Sequence, residues 1–342
     1  MSRPIGGFFP LAIDQMPAAA VTPWQSWTNG AGSILRFHSA RAALAWLLRR
    51  KSIRRLWLPA YICPELADAA LNAGAELAFY PVGGRLMPDT AMLGVHLLEG
   101  DAVLGVAYFG FSPPSDFLRL AATRPDVLWI EDRAQAFDPG ASPWGDWVVY
   151  SPRKLLGVPD GGLLVSYREQ LAEPPLQPST ELAFMSPALL RLEDPDESDH
   201  RRWYARYRAV EQAVTASPQS MSRLSCELLR RLDAAAISAA RRRNFASLSR
   251  AFSSIALPSP AEPSSAVPFG LPIRVNDAAA IAGKFAEAGI FCARHWSALP
   301  SDPDAFAAEH RLARSLLTLP CDQRYGEAEM RRIIDTVAAI LR

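Results

Sequence analysis

The run Ala102-Val103-Leu104-Gly105-Val106-Ala107-Tyr108 contains no charged residue. A strand that is apolar on both faces has to be covered on both faces, which is the condition of a parallel sheet layered between helices. The same reading applies along the first half of the chain. Strands are predicted at Arg55–Leu58, Ala75–Tyr80, Ala102–Tyr108, Val127–Ile130, Trp147–Tyr150 and Gly162–Ser166. Helices alternate with them, from a Ser39 cap to about Arg50 and from about Pro64 to Ala73, closed by Gly74. This alternation predicts the α/β class, with a large domain built on a mainly parallel sheet.

The length, 342 residues, suggests about two domains. The pattern becomes polar and irregular over 173–200, with Glu173-Pro174-Pro175 and the acidic run from Glu193 to Asp199. Helical runs follow at 200–215 and 222–253, then a Pro/Ser-rich linker at 257–268. A smaller unit comes last, with strands near Phe269–Val275 and Ile290–Ala293 and helices at Asp277–Ala288 and Gly326–Leu341. The expected division is 1–215 for an N-terminal arm and large domain, and 216–342 for a linking helix and a smaller C-terminal α+β domain.

With a net charge of +1 and 21% charged residues, bulk electrostatics do not direct the chain to nucleic acid or to an acidic membrane. Cys63, Cys226, Cys292 and Cys321 are widely spaced without a CxxC pair, which argues against a zinc site or a disulfide framework and fits a reducing cytoplasm. The first ten residues hold too much Gly and Pro for a signal h-region. No run approaches the roughly 18 apolar residues of a membrane-spanning helix. The expectation is a cytoplasmic protein with small-molecule substrates, no membrane, no nucleic acid and no metal.

Only three lysines, Lys51, Lys154 and Lys284, stand against thirty-three arginines. Guanidinium serves any salt bridge, but it stays protonated, whereas an ε-amine can lose its proton and condense with an aldehyde. Lys154 lies in an apolar loop, Lys154-Leu155-Leu156-Gly157-Val158, just before Asp160-Gly161-Gly162. Asp132 ends a predicted strand upstream of it, where ligands of open α/β sheets bind. A carboxylate beside a pyridine-type ring keeps the ring nitrogen protonated and the ring electron-accepting. Ser39-Ala40-Arg41 opens a helix whose N–H groups suit a phosphate, or forms a plain cap.

Taken in order, Ser39-Ala40-Arg41-Ala42-Ala43-Leu44, Leu58-Pro59-Ala60-Tyr61-Ile62-Cys63, Ile130-Glu131-Asp132-Arg133-Ala134-Gln135 and Lys154…Gly161-Gly162 resemble the DegT/DnrJ/EryC1/StrS aminotransferases. Ile5-Gly6-Gly7, Arg241-Arg242-Arg243-Asn244-Phe245 and Leu317–Tyr325 extend the likeness over nearly the whole chain. The resemblance implies a pyridoxal-phosphate-dependent transferase of fold type I. Lys154 would form the Schiff base and Asp132 pair with the ring nitrogen. Gln135 would contact the ring's phenolic oxygen, and backbone at Ala40 and Arg41 would hold the phosphate. It further implies a homodimer that moves an amino group from glutamate to a nucleotide-linked keto-sugar, in amino-sugar or polysaccharide synthesis.

The chain departs from the family's pattern at several points. A serine usually stands five residues before the lysine; here Ser151 stands three before it, so Ser151 or Arg153 is the phosphate candidate. Cys63 occupies the position of the ring-stacking aromatic, with Tyr61 two residues away as the alternative. Tyr108 replaces a histidine of the family and, with His295, is a candidate for the substrate. Arg294 is a candidate for a carboxylate. The run Arg201–Arg208 reads either as a nucleotide-binding surface or as an amphipathic helix at a dimer interface. Two further readings share Lys154 and Asp132: another pyridoxal-phosphate reaction (dehydratase, lyase or aldolase), and a non-catalytic sensor or scaffold on the same fold.

Overall fold

The computed structural model describes residues 5–6, 20–177, 185–194, 200–214, 216–257 and 265–342. The acidic run 195–199, the glycine at position 7 and most of the 257–268 linker lie outside these. In chain order the elements are β1 (Ile5–Gly6), α1 (Pro23–Thr28), β2 (Ser33–Phe37), α2 (Ala40–Arg50), β3 (Arg55–Pro59), α3 (Pro64–Asn72), β4 (Glu76–Tyr80), α4 (Thr90–His96), β5 (Ala102–Val106), α5 (Ser115–Thr123), β6 (Leu128–Asp132), β7 (Trp147–Tyr150) and β8 (Gly162–Ser166). There follow α6 (Ser186–Leu192), α7 (His200–Ala213), α8 (Arg223–Leu229), α9 (Ala234–Ala251), β9 (Gly270–Arg274), α10 (Ala278–Glu287), β10 (Ile290–Phe291), α11 (Ala307–Ser315), β11 (Leu316–Pro320) and α12 (Glu327–Leu341).

Seven strands form the main sheet in the order β2-β8-β7-β6-β5-β3-β4. Pairing is parallel except around β8, which runs against both β2 and β7. One consequence gathers the site. The carboxyl ends of β2, β3, β5, β6 and β7 share one edge of the sheet, and the reversed β8 begins there. The starts of α2 and α3, Asp132, the lysine loop and Gly161-Gly162 therefore meet at that edge, as the rule for open α/β sheets requires. Every residue of β5 is buried, as its charge-free sequence requires.

The C-terminal unit has its own core. β9 pairs antiparallel with β11, and Leu271, Ile273, Phe285, Leu317, Leu319 and Ile333 are almost fully buried among its helices. The N-terminal arm, grouped with the large domain by sequence, instead pairs β1 with β10 and buries Ile5 in this C-terminal core.

Other differences have local causes. The run 222–253 is two helices, because Asp233 Oδ1 accepts from the N–H groups of Ala235 and Ala236 and starts α9 afresh. The strand expected to reach Tyr108 stops at Val106, where Tyr108–Gly110 turns tightly with Phe109 at φ +53° and Gly110 at +98°. Helix α6 lies within the stretch read as irregular. No helix among the described residues is long and apolar enough to cross a membrane.

Candidate active site

A cavity of about 700 Å3 opens at the carboxyl edge of the main sheet. Its wall includes Ser39, Ala40, Arg41, Cys63, Asp132, Gln135, Ser151, Arg153 and Lys154 from the large unit, with Arg294 and His295 from the C-terminal unit. Candidates scattered over more than 250 positions are thus brought to one space. Tyr61 and Tyr108 are not part of that wall. The Tyr61 hydroxyl donates to the His295 carbonyl, its ring meets Trp296 at 5.7 Å, and Tyr108 donates in turn to the Tyr61 carbonyl. Both tyrosines are buried behind the cavity, where they support the loop that carries His295.

Lys154 closes a tight turn after β7, with its N–H donating to the Ser151 carbonyl at 3.1 Å. The next residues, Leu155 and Leu156, are fully buried and anchor the turn. The Leu155 carbonyl accepts from Arg241 Nη2 at 3.0 Å and from Gln323 Nε2 at 2.9 Å. Arg241 is itself 1% exposed and also donates to the carbonyls of Pro268 and Phe269. The Arg241–Phe245 motif therefore braces the lysine turn from the C-terminal unit. The Lys154 amine has no hydrogen bond or ion pair among the described residues, whereas that of Lys51 is paired with Glu169.

On the far side of the turn, buried Asp160 accepts from Ser222 N–H at 2.8 Å and Ser222 Oγ at 2.6 Å, and also from Ser225 Oγ. Gly161 adopts φ +131° and donates to the His38 carbonyl at 2.8 Å. A Cβ on Gly162 would lie 2.2 Å from the Ser39 carbonyl carbon and 2.4 Å from Ala40 N. The paired glycines thus let β8 start directly against the first turn of α2.

Ser39 caps α2 through its hydroxyl, which accepts from Ala42 N–H at 3.2 Å. Helix geometry leaves the N–H groups of Ala40 and Arg41 without carbonyl partners inside the helix, and both residues line the cavity. Arg153 makes a two-point pair with Glu211 of α7, at 2.7 and 3.2 Å, and Arg41 approaches the same carboxylate at 3.5 Å. Glu211, absent from the sequence candidates, thus pairs with both arginines and offsets one of their two charges. Arg153 is held by it, which favours Ser151 over Arg153 for contact with a phosphate.

Asp132, 5% exposed, accepts from Ala134 N–H at 2.7 Å. Burial raises its pKa above the ordinary carboxyl range, although the charge of Lys154 and the Ala134 N–H oppose the rise. Among the described residues, what this carboxylate lacks is a cation in contact. Gln135, 2% exposed, is oriented by Phe109 N–H, which donates to its Oε1 at 3.1 Å. Its Nε2 is then a buried donor with no acceptor among the described residues. A group with a protonated ring nitrogen, an acceptor oxygen and a phosphate would answer all three needs, so the wall fits pyridoxal phosphate.

Burial pushes the Cys63 thiol up to about 11, against the pull of Lys154. This position therefore presents a neutral thiol instead of a ring. Aromatic surface comes from Trp203, Tyr204 and Tyr207 of α7, which line the cavity. The sequence left this run open between a nucleotide-binding surface and an amphipathic interface helix; in the structure its aromatic residues line the cavity.

His295 Nδ1 lies 3.0 Å from Thr318 Oγ1, and burial, with help from Lys154, lowers the imidazole pKa to about 3. The unfolded chain binds that proton below about pH 6.5 and the folded one does not. The associated stability is complete above that pH and falls as the pH drops towards 3, by at most about 1.4 kcal/mol per pH unit. Between pH 7 and 5 the wild type is expected to lose up to about 2 kcal/mol more than His295→Gln in urea unfolding. Equal losses in the two proteins would show that His295 titrates normally.

No family model and no curated protein matches this sequence. Solved structures do. A proposed sugar aminotransferase, Spr1654, from Streptococcus pneumoniae in its PLP form is 14% identical, with 98% of each chain covered and a TM-score of 0.70. The aminotransferase TlmJ from Streptoalloteichus hindustanus is 17% identical over 98% of each chain, with a TM-score of 0.65. The chain has the fold of these aminotransferases. A DegT DnrJ EryC1 StrS aminotransferase from Brucella abortus is also similar, at 16% identity, 91% and 87% coverage and a TM-score of 0.62. The α/β, fold-type-I architecture expected from sequence is therefore the one observed.

Proposed function

We propose that this chain is a pyridoxal-phosphate-dependent aminotransferase that moves an amino group from glutamate to a nucleotide-linked keto-sugar. One arrangement carries the reading. An uncommitted lysine amine, a buried carboxyl short of a cation and a buried amide N–H short of an acceptor line one cavity with an open helix N-terminus. The sugar aminotransferases among the proteins of like fold support the acceptor class.

When bound, pyridoxal phosphate supplies an aldehyde that captures amines and a ring that takes up the electron pair left as the donor's α-carbon loses its proton. The N–H groups of Ala40 and Arg41 would hold its phosphate, aided by the α2 dipole and by Ser39 and Ser151 at the cavity wall. Asp132 would keep the proton on the ring nitrogen, since a buried carboxylate favours a charged partner over a neutral one. Gln135 Nε2 would donate to the ring oxygen. Lys154 Nζ would hold the group through its aldehyde and would carry the proton taken from and returned to the donor's α-carbon. Arg294, exposed on the cavity wall and without a partner among the described residues, would take the donor's carboxylate. His295, neutral at pH 7, would meet the substrate as a hydrogen-bonding group only.

In this reading the working unit is a homodimer, checked by light scattering as twice 37.4 kDa. Its compartment is the cytoplasm, which suits four unpaired thiols. The deciding experiment mixes cofactor-loaded protein with glutamate alone. Release of 2-oxoglutarate should stop at about one equivalent per site and resume when a nucleotide-linked keto-sugar is added. Continuous product formation from a single substrate would place the protein among the lyases or dehydratases. Failure to take up the cofactor would leave the scaffold reading.

A further inference from the structure

A second cavity, of about 240 Å3, lies in the seam between the main sheet and the C-terminal unit. Phe109 and Phe111 approach it from the turn after β5, Phe245 from α9 and Leu271 from β9. The rings of Phe111 and Phe245 stand 5.8 Å apart at 57°. It is separate from the active cavity but shares a wall with it. The Phe109 backbone orients Gln135, and the Phe109 ring meets His295 at 6.1 Å.

Two polar groups of this apolar space lack partners among the described residues. Ser112 Oγ is buried, on a residue 9% exposed, and has no hydrogen-bond partner among the described residues. A buried hydroxyl left this way is costly unless something meets it. Arg85, exposed at the cavity wall, makes no hydrogen bond or ion pair among the described residues. Its turn is held firmly from the C-terminal unit. Glu309 Oε1 accepts from the N–H groups of Val82 at 2.8 Å and Gly83 at 2.6 Å, and Arg274 donates to the Gly84 carbonyl.

We infer that this seam cavity is a binding site for a small aromatic carboxylate. The aromatic walls take a flat apolar body, Ser112 offers one hydrogen bond and Arg85 takes the anion. An engineered apolar cavity of about 150 Å3 admits benzene, so this one has room for a ring and its carboxylate.

The probe is benzoate, titrated against the full-length protein by ligand-observed NMR. Saturable binding is expected. Arg85→Ala, which removes an exposed side chain outside the active cavity, should weaken it by about tenfold. Leu271→Trp should fill the space and abolish it. Arg294→Ala, which alters only the active cavity, should leave it unchanged. The inference falls if benzoate does not bind saturably. It also falls if Arg294→Ala removes binding while Arg85→Ala leaves it intact, since the ligand would then sit in the active cavity. Neither result bears on the aminotransferase reading, which rests on Lys154 and Asp132.

Discussion

Lys154→Arg is expected to lower amino transfer by at least about a thousandfold while leaving the fold intact. The change keeps a cation and most of the side-chain length, so the electrostatics around Asp132 survive. It removes the one property that arginine lacks, an amine able to shed its proton and bond to carbon. The turn should persist, because Leu155 and Leu156 are buried and the Leu155 carbonyl is held by Arg241 and Gln323. Two measurements check this. Borohydride treatment of the cofactor-loaded wild type should fix the cofactor to the Lys154 peptide in mass spectrometry, and the variant should show no such adduct. Circular dichroism should be the same for both. Activity within tenfold of wild type would remove Lys154 from the chemistry.

The largest effect on stability is expected from Gly162→Ala. The added Cβ would sit 2.2–2.4 Å from backbone atoms of Ser39 and Ala40. Backbone cannot swing aside as a flexible side-chain end can, so β8 and α2 must separate. Overpacking commonly costs about 1–3 kcal/mol, and a backbone clash belongs at or above the top of that range. The separation also spoils the anion site at the start of α2, so affinity for cofactor and for inorganic phosphate should fall with the urea midpoint. Gly283→Ala provides the contrast, since a Cβ there meets nothing within 4 Å in the middle of α10. It should be neutral or stabilising by up to about 1 kcal/mol. An unchanged midpoint in Gly162→Ala would mean that the close approach is not required.

Much of the site was legible because its chemistry needs particular residue types at chain positions that local rules can read. Lys154 stood out against a background of arginine. Asp132 stood at the end of an apolar strand, and Gly161-Gly162 marked a turn that tolerates no side chain. Ser39 preceded an apolar-periodic helix. Each signal spans a few residues and follows from backbone geometry. Glu211 gave no such signal, and the run that holds Trp203 and Tyr207 left open which surface it would cover. Their places on the cavity wall depend on how α7 packs, which lies far along the chain from the groups they meet. Tyr61 shows the converse. Its two-residue spacing from Cys63 implied a shared side, but the chain turns into α3 at that point and strand alternation no longer applies.

By itself, then, the sequence determined the α/β alternation and the burial of the central strands, and it singled out Lys154 and Asp132 as candidates, because periodicity and side-chain chemistry are local properties. Only the tertiary structure decided which candidates share a space. The reversed β8, the arm that crosses to β10 and the bracing of the lysine turn by Arg241 and Gln323 are contacts between residues far apart in sequence. Such contacts follow from which apolar faces find each other on folding, and no spacing within a single segment encodes that choice.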